Sequence, residues 1–447
     1  MRVIVVGAGE VGYQLARYLV LENINVVIID RDPVKLGRIN EELDVATIVA
    51  DGTSPLALKE AGADKADMLL AVTDSDETNM ITCMLAKAMF TIPRKIARLR
   101  NLEYINNEKL LSPENLDINP AISPEIEVAS AVIRLLETPF ATDVEDFEDG
   151  LIKIIGFKVP ENSRLTGIAF KDLGKLNPPK NFLIGIIERE RTVIIPRGDD
   201  RIKQGDIIYM PVRKWEVGDS LKFLGASPRP ARKIMIAGGG RVGHHIASRM
   251  DSRADVKIIE RDQERCRFLS DSLTRSVVLN GDGSDETLLI EENVGDMDVF
   301  VAVSNNEELN IMSSLLAKRL GAKKTITIVN RTDYLSLASG LGLGTVLSPR
   351  IITASSILKY VRRGEILSLT SIAGDRAEVL EARISSGSPL VGKALKDMKL
   401  PENTLVGSVI RGDNILIPSG HDTVNVDDKL IFFTSRESIK KLEMLLV

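Results

Sequence analysis

The stretch Val3-Ile4-Val5-Val6-Gly7-Ala8-Gly9-Glu10-Val11-Gly12 decides the fold, and it recurs 231 residues later as Ile234-Met235-Ile236-Ala237-Gly238-Gly239-Gly240-Arg241-Val242-Gly243. An apolar run, a Gly-x-Gly-x-x-Gly loop and a helix-like pattern together predict strand, tight turn and helix around a phosphate site. The first glycine (Gly7, Gly238) permits the turn and the second (Gly9, Gly240) lets the backbone approach a pyrophosphate. The third (Gly12, Gly243) lets the helix pack on the strand, leaving free N–H groups at its N-terminus for phosphate oxygens. One such loop is a weak signal; two in register are a strong one.

The repeat extends outward from the loops. The next apolar runs end in an acid, Asp30 and Glu260, placed 23 and 22 residues after the first glycine of each loop. A carboxylate there bonds ribose hydroxyls and repels a 2′-phosphate, which favours NAD(H) or an adenine nucleotide over NADP. Asp51-Gly52-Thr53 matches Asp282-Gly283-Ser284, Thr73-Asp74 matches Ser304-Asn305, and Glu77 with Asn79 matches Glu308 with Asn310 at the same offset. On a doubly wound sheet the residues after each strand lie at the carboxyl edge, so Thr73, Asp74, Ser304 and Asn305 are candidate nucleotide contacts or helix N-caps.

Composition bounds the rest. At 447 residues the chain has room for about three or four domains, and a hydrophobic share of 44% is enough to bury their cores. The net charge is −5 with both signs interspersed, which disfavours nucleic-acid binding. Cys83 and Cys266 lack metal-ligand spacing and read as buried apolar residues of a reduced compartment. The sequence opens directly on a strand pattern with no leader, and no apolar run approaches the roughly 18 to 20 residues that span a bilayer, so membrane insertion is not expected.

A second repeat follows each nucleotide unit. Ile122-Ser123-Pro124 and Leu347-Ser348-Pro349 each open a helical run, with 125–137 and 353–363 as connecting helices whose apolar faces suit either an oligomer contact or packing within the monomer. Arg164-Leu165-Thr166-Gly167 then pairs with Pro389-Leu390-Val391-Gly392, and Gln204-Gly205-Asp206 with Val426-Asp427-Asp428. Short alternating runs broken by Gly, Pro and Asp predict small, mostly antiparallel α+β domains. The expected class is α/β: two Rossmann-like parallel-sheet nucleotide-binding domains, each followed by a small α+β domain. The expected order is nucleotide domain 1–123, connecting helix 124–143, small domain 144–226, linker 227–231, nucleotide domain 232–350, connecting helix 351–367 and small domain 368–447.

This order, together with the glycine loops, Ile-Ala-Arg-Leu-Arg at Ile96 to Arg100, Leu-Ala-Lys-Arg-Leu-Gly-Ala-Lys-Lys at Leu316 to Lys324, and Tyr-Val-Arg-Arg-Gly-Glu-Ile at Tyr360 to Ile366, resembles the TrkA family. Its members are tandem RCK (regulator of potassium conductance) subunits of Trk potassium uptake systems, and the resemblance covers essentially the whole chain. It implies a cytoplasmic, peripheral, homo-tetrameric ring beneath a membrane-embedded Trk-type potassium transporter subunit, gated by NAD(H) or ATP/ADP. Carried onto this chain, the first pocket comprises Gly7, Ala8, Gly9, Glu10, Val11, Asp30, Asp51, Thr73, Asp74 and Arg98. The second comprises Gly238, Gly239, Gly240, Arg241, Val242, Glu260, Asp282, Ser304 and Asn305.

The halves differ where ligands would feel it. Arg98 aligns with an apolar position near Ile328, so a phosphate-facing cation is expected in one pocket only, unless Arg98 is a surface residue at a strand end. Arg241 replaces Glu10, with a phosphate contact and a solvent-facing side chain both open. The rival class is an NAD-dependent dehydrogenase, and a further alternative is an RCK-type sensor for a different ion transporter. Only three histidines exist, His244, His245 and His421, and none falls in an acid–base constellation; Asp199, Asp200 and Asp206 lie among turn residues, so no catalytic or metal site is expected.

Overall fold

Each glycine loop lies at the end of the central strand of a six-stranded sheet. In the computed structural model the first sheet contains β1 (Arg2–Val6), β2 (Asn25–Asp30), β3 (Ala46–Val49), β4 (Met68–Ala71), β5 (Arg94–Arg98) and β6 (Ala121–Ile122), in the order β3-β2-β1-β4-β5-β6. Its pairings are all parallel. The structure describes all residues except 22, 191, 227, 228, 332, 333, 336, 338, 339, 362–365, 374, 375 and 447. Parts of the expected linker, of the second connecting segment and of the second small domain therefore lie outside the described residues.

The apolar runs are continuous because this sheet is covered on both faces. Val3 and Val5 pack with Val11, Leu15 and Leu19 of the fingerprint helix Glu10–Leu21, whereas Ile4 and Val6 pack with Leu58, Cys83 and Ala86 on the opposite face. Burial of Cys83 pushes its thiol up to about 12, so it behaves as an apolar side chain.

Downstream, β7 (Ala141–Phe147), β8 (Ile152–Lys158), β9 (Ile186–Arg189), β10 (Thr192–Ile194) and β11 (Ile207–Arg213) form an antiparallel sheet ordered β10-β9-β11-β8-β7. The second parallel sheet comprises β12 (Lys233–Ala237), β13 (Asp255–Glu260), β14 (Val277–Asn280), β15 (Val299–Ala302), β16 (Thr325–Ile328) and β17 (Thr345–Leu347). Its order, β14-β13-β12-β15-β16-β17, repeats the first. The last sheet, of β18 (Ile366–Ile372), β19 (Ala377–Arg383), β20 (Thr404–Arg411), β21 (Asn414–Leu416) and β22 (Lys429–Ser435), runs β18-β19-β22-β20-β21. Read from the other edge, that is the topology of the first small sheet, so the duplication includes the small domains.

The chain divides into two compact units: 1–130 with 328–338 and 346–361, and 131–327 with 339–345 and 362–447. In the first unit Ala354, Ile357, Leu358 and Val361 join the core beside the fingerprint helix, so the helix Pro349–Leu358 buries its apolar face within the chain. In the helix Pro124–Glu137, Val128, Ala129, Val132 and Leu136 are likewise buried. In the second unit both small sheets feed one core, with Phe147, Ile154 and Tyr209 against Val379, Ile431 and Phe433.

Polar groups are paired inside that core. Asp206 and Asp428, at equivalent turns, are each almost fully buried and take two bonds from Arg189 and Arg411 at 2.8 to 2.9 Å. Glu381 lies against Glu148 and Lys429; burial, followed by its bond to Glu148, pushes its carboxyl up to about 8, while Glu148 is held below the usual range. Two carboxyls this close resist double ionisation, so the pair takes up a proton more readily than two separate carboxyls would.

A raised carboxyl contributes stability that is present at low pH and lost as pH rises through its folded value. Thermal unfolding of the parent is expected to shift downward between pH 6 and pH 8.5. Glu381→Gln, neutral throughout, should show a smaller shift; an identical pH dependence in the variant would remove Glu381 as the source.

Candidate functional site

The first site is built at the carboxyl ends of β1 and β4, where the strand order reverses. Gly7 has φ of 113°, a left-handed region suited to glycine, and a Cβ there would lie 2.9 Å from the Thr73 backbone nitrogen. A Cβ on Gly12 would stand 1.9 Å from the Gly7 carbonyl oxygen, so the helix sits directly on the loop. Gly9 is different: a Cβ there would meet nothing within 4 Å. Open space beside the first-turn amides of a helix is the setting a phosphate needs.

The second loop repeats each feature. Gly238 has φ of 115°, Gly243 approaches the Gly238 carbonyl oxygen as Gly12 approaches that of Gly7, and Gly240 faces open space. Gly239 lies under Glu260 and Val242 is in the first turn of the helix Arg241–Met250.

The acids after β2 and β13 brace the loops. Asp30 accepts from the Ala8 amide at 2.6 Å and from the Asp32 amide at 2.9 Å. Glu260 accepts from the amides of Gly239, Arg261 and Asp262 at 2.7 to 2.9 Å. Asp51 and Asp282 each bind the amide and hydroxyl of the residue two ahead, Thr53 and Ser284. These bonds hold both carboxyls below the usual range.

Thr73 and Ser304 are fixed by residues given no role in the sequence reading. The amide and hydroxyl of Thr73 both donate to Asn79 Oδ1, at 2.9 and 2.7 Å, and Asn79 Nδ2 donates to the carbonyls of Thr73 and Arg98. Ser304 makes the same pair of bonds to Asn310. Both asparagines are almost fully buried. The matched offset of Asn79 and Asn310 was the available signal, but only the fold shows that they clamp the strand-end loops. Thr73, Asp74, Ser304 and Asn305 are not N-caps: the following helices are capped by Ser75 and Asn306. Asp74 and Asn305 are exposed at the loop edge.

Charge separates the two sites. Arg98 ends β5 and is largely shielded; its Nε has no partner among the described residues, and Nη1 lies 3.5 Å from the Thr73 carbonyl oxygen. Burial, followed by the neighbouring Arg100, lowers its pKa. Ile328, at the equivalent end of β16, is buried and apolar. Glu10 pairs with Arg350 at 2.7 Å, a contact the sequence does not announce; Glu10 and its counterpart Arg241 are both exposed.

The histidines lie elsewhere. His244 Nε2 is 3.1 Å from Ser272 Oγ and its ring meets Phe268; His421 Nδ1 lies 3.1 Å from Lys396 Nζ. Burial lowers the pKa of His244 and His245. Among the described residues no group of three His, Cys, Asp or Glu side chains is placed to hold a metal, and no helix is long and apolar enough to cross a membrane.

The TrkA-N domain model matches residues 3–124 and 234–349, and the TrkA-C domain model matches 379–447. A Trk system potassium uptake protein TrkA of Azorhizobium caulinodans is 37% identical, covering 100% of this chain and 98% of the relative. A protein of the same name from Halomonas elongata is also 37% identical, with the same coverage. The solved structure described as the GsuK channel bound to NAD matches with a TM-score of 0.63 at 16% identity, over 100% of this chain and 78% of that one. The structure of GsuK bound to ADP gives 0.51 at 13% identity, over 81% and 69%.

Removing the Asn79 clamp leaves buried amide and carbonyl groups of the Thr73 loop unpaired. Asn79→Ala should lower the unfolding free energy of the chain by about 1 to 3 kcal/mol. Denaturant titration checks this, and a change below about 0.5 kcal/mol, the range of ordinary surface substitutions, would contradict the clamp.

Proposed function

The chain belongs to the TrkA family, and from that premise we propose that it is a nucleotide-binding regulatory subunit controlling potassium flux through a membrane-embedded Trk-type partner. The observation that carries the reading is the space beside Gly9 and Gly240 at two helix N-termini, each flanked by a braced acid. Phosphate oxygens would be taken by the loop amides of Gly7 to Val11 and Gly238 to Val242. Asp30 and Glu260 would take ribose hydroxyls, and the strand-end residues Asp51, Thr73, Asp74, Asp282, Ser304 and Asn305 would border the ligand. The names of the GsuK structures make NAD and ADP the first ligands to try.

The two pockets are unequal in this proposal. Arg98 supplies a shielded cation in the first, whose charge would favour an anionic phosphate; Ile328 supplies none in the second. The first pocket therefore prefers ligands with more phosphate charge. Control follows when a nucleotide binds two conformations of the subunit with different affinity, and a coupling of about 1 to 3 kcal/mol is ordinary. We propose a homo-tetramer on the cytoplasmic face of the membrane, with the nucleotide and small domains divided at the boundaries given above. In this proposal the ligand is sensed and not turned over; His244 bonds Ser272 and His421 lies beside Lys396.

Calorimetric titration with NADH, NAD+, ATP and ADP tests this reading, followed by a check of each nucleotide for chemical change. Saturable binding without turnover supports it; absence of binding contradicts the sensor, and steady turnover would restore the dehydrogenase. Asp30→Ala should weaken the first pocket and Glu260→Ala the second. Arg98→Gln should weaken ATP or ADP binding in the first pocket about tenfold or more while leaving the second unchanged. Equal loss in both pockets would contradict the assignment of Arg98.

A further inference from the structure

The helix Pro349–Leu358 comes from the second half of the sequence, yet it lies in the core of the first nucleotide unit. There it and the turn after it bury Ala354, Ile357, Leu358 and Val361 with Val11, Leu15 and Leu19 of the first fingerprint helix. Arg350, in its first turn, reaches the Glu10 carboxylate at the start of that fingerprint helix, 2.7 Å away, with the Arg350 side chain partly shielded from water and that of Glu10 exposed.

The apolar contacts by themselves do not choose this helix. Aligned on Ser123-Pro124 and Ser348-Pro349, the first-half helix carries Ala129, Val132, Ile133 and Leu136 where the second half carries Ala354, Ile357, Leu358 and Val361. The end charge is what differs. The residue after proline is Glu125 in the first half and Arg350 in the second, and the fourth loop residue is Glu10 in the first and Arg241 in the second. Both signs are reversed together. A first-half helix laid on the first fingerprint helix would set Glu125 against Glu10, and like charges across a contact reject a partner that apolar area alone would accept.

We infer that the Glu10–Arg350 pair, with reversed signs at the equivalent positions Arg241 and Glu125, is a selectivity device. It makes the first fingerprint helix accept the connecting helix of the second half and reject that of the first half, whether from the same chain or from a second copy. The apolar face supplies the affinity and the charges supply the choice. Because Glu10 directly follows Gly9, the chosen helix ends beside the open space of the first glycine loop. The inference does not require that a nucleotide binds there.

Hydrogen exchange of the backbone amides of 353–361 in the full chain reads the docking. Arg350→Glu gives the second-half helix the end charge of the first-half helix, and exchange should become about tenfold faster. Glu10→Arg should act in the same direction, and the double variant E10R/R350E should return to within about twofold of the parent. Arg38 also faces Glu10, so Arg350→Glu, which leaves that neighbour untouched, is the primary arm and the double variant its rescue. The neutral variants Glu10→Gln and Arg350→Gln guard against misfolding and should speed exchange only about two- to threefold. Equal exchange in all variants, or a double variant faster than either single one, would overturn the inference.

Discussion

The architecture at the first site depends on how closely one helix is allowed to sit on one loop. The Gly7 carbonyl oxygen occupies the place where a side chain on Gly12 would begin, and Thr73 crosses directly over Gly7. That contact brings the helix N-terminus to the end of β1, with open space beside Gly9. The acid after β2 bonds the Ala8 amide, so the carboxylate that would read a ribose also braces the loop that would hold the phosphate. The second half repeats this bracing with Glu260 in the place of Asp30.

Much of this is legible in the sequence because it is local. The strand, loop and helix around Gly7 and Gly238 follow from residues within a span of about ten, and the doubled offset identifies the strand ends at Thr73 and Ser304. The small domains follow from the repeated turns, whose aspartates Asp206 and Asp428 are the buried partners of Arg189 and Arg411. What escapes the sequence is long-range. The helix caps fall on Ser75 and Asn306, and nothing in the pattern of a polar residue within a helix reveals that the Asn79 or Asn310 side chain turns back to a strand end. The pairing of Glu10 with Arg350 spans most of the chain and depends on which of two similar helices docks there.

Duplication supplies two sites, and divergence makes them inequivalent. Arg98 and Ile328 end equivalent strands, so one candidate site has a shielded guanidinium at its strand end and the other a buried apolar side chain. Removing a cation from water is costly, and a guanidinium nitrogen left without a bond is costlier still. The small sheets share one core around Tyr209 and Phe433 within the second unit.

The most direct measurement is potassium flux through the reconstituted Trk-type partner, with this chain added and NADH or ADP titrated in. The parent should be compared with a chain carrying Gly9→Trp and Gly240→Trp. A Cβ at either glycine meets no neighbour, so the fold should tolerate the substitutions while the rings fill the phosphate space. The account predicts nucleotide-dependent flux with the parent and nucleotide-independent flux with the variant. Equal nucleotide dependence in both chains would contradict it.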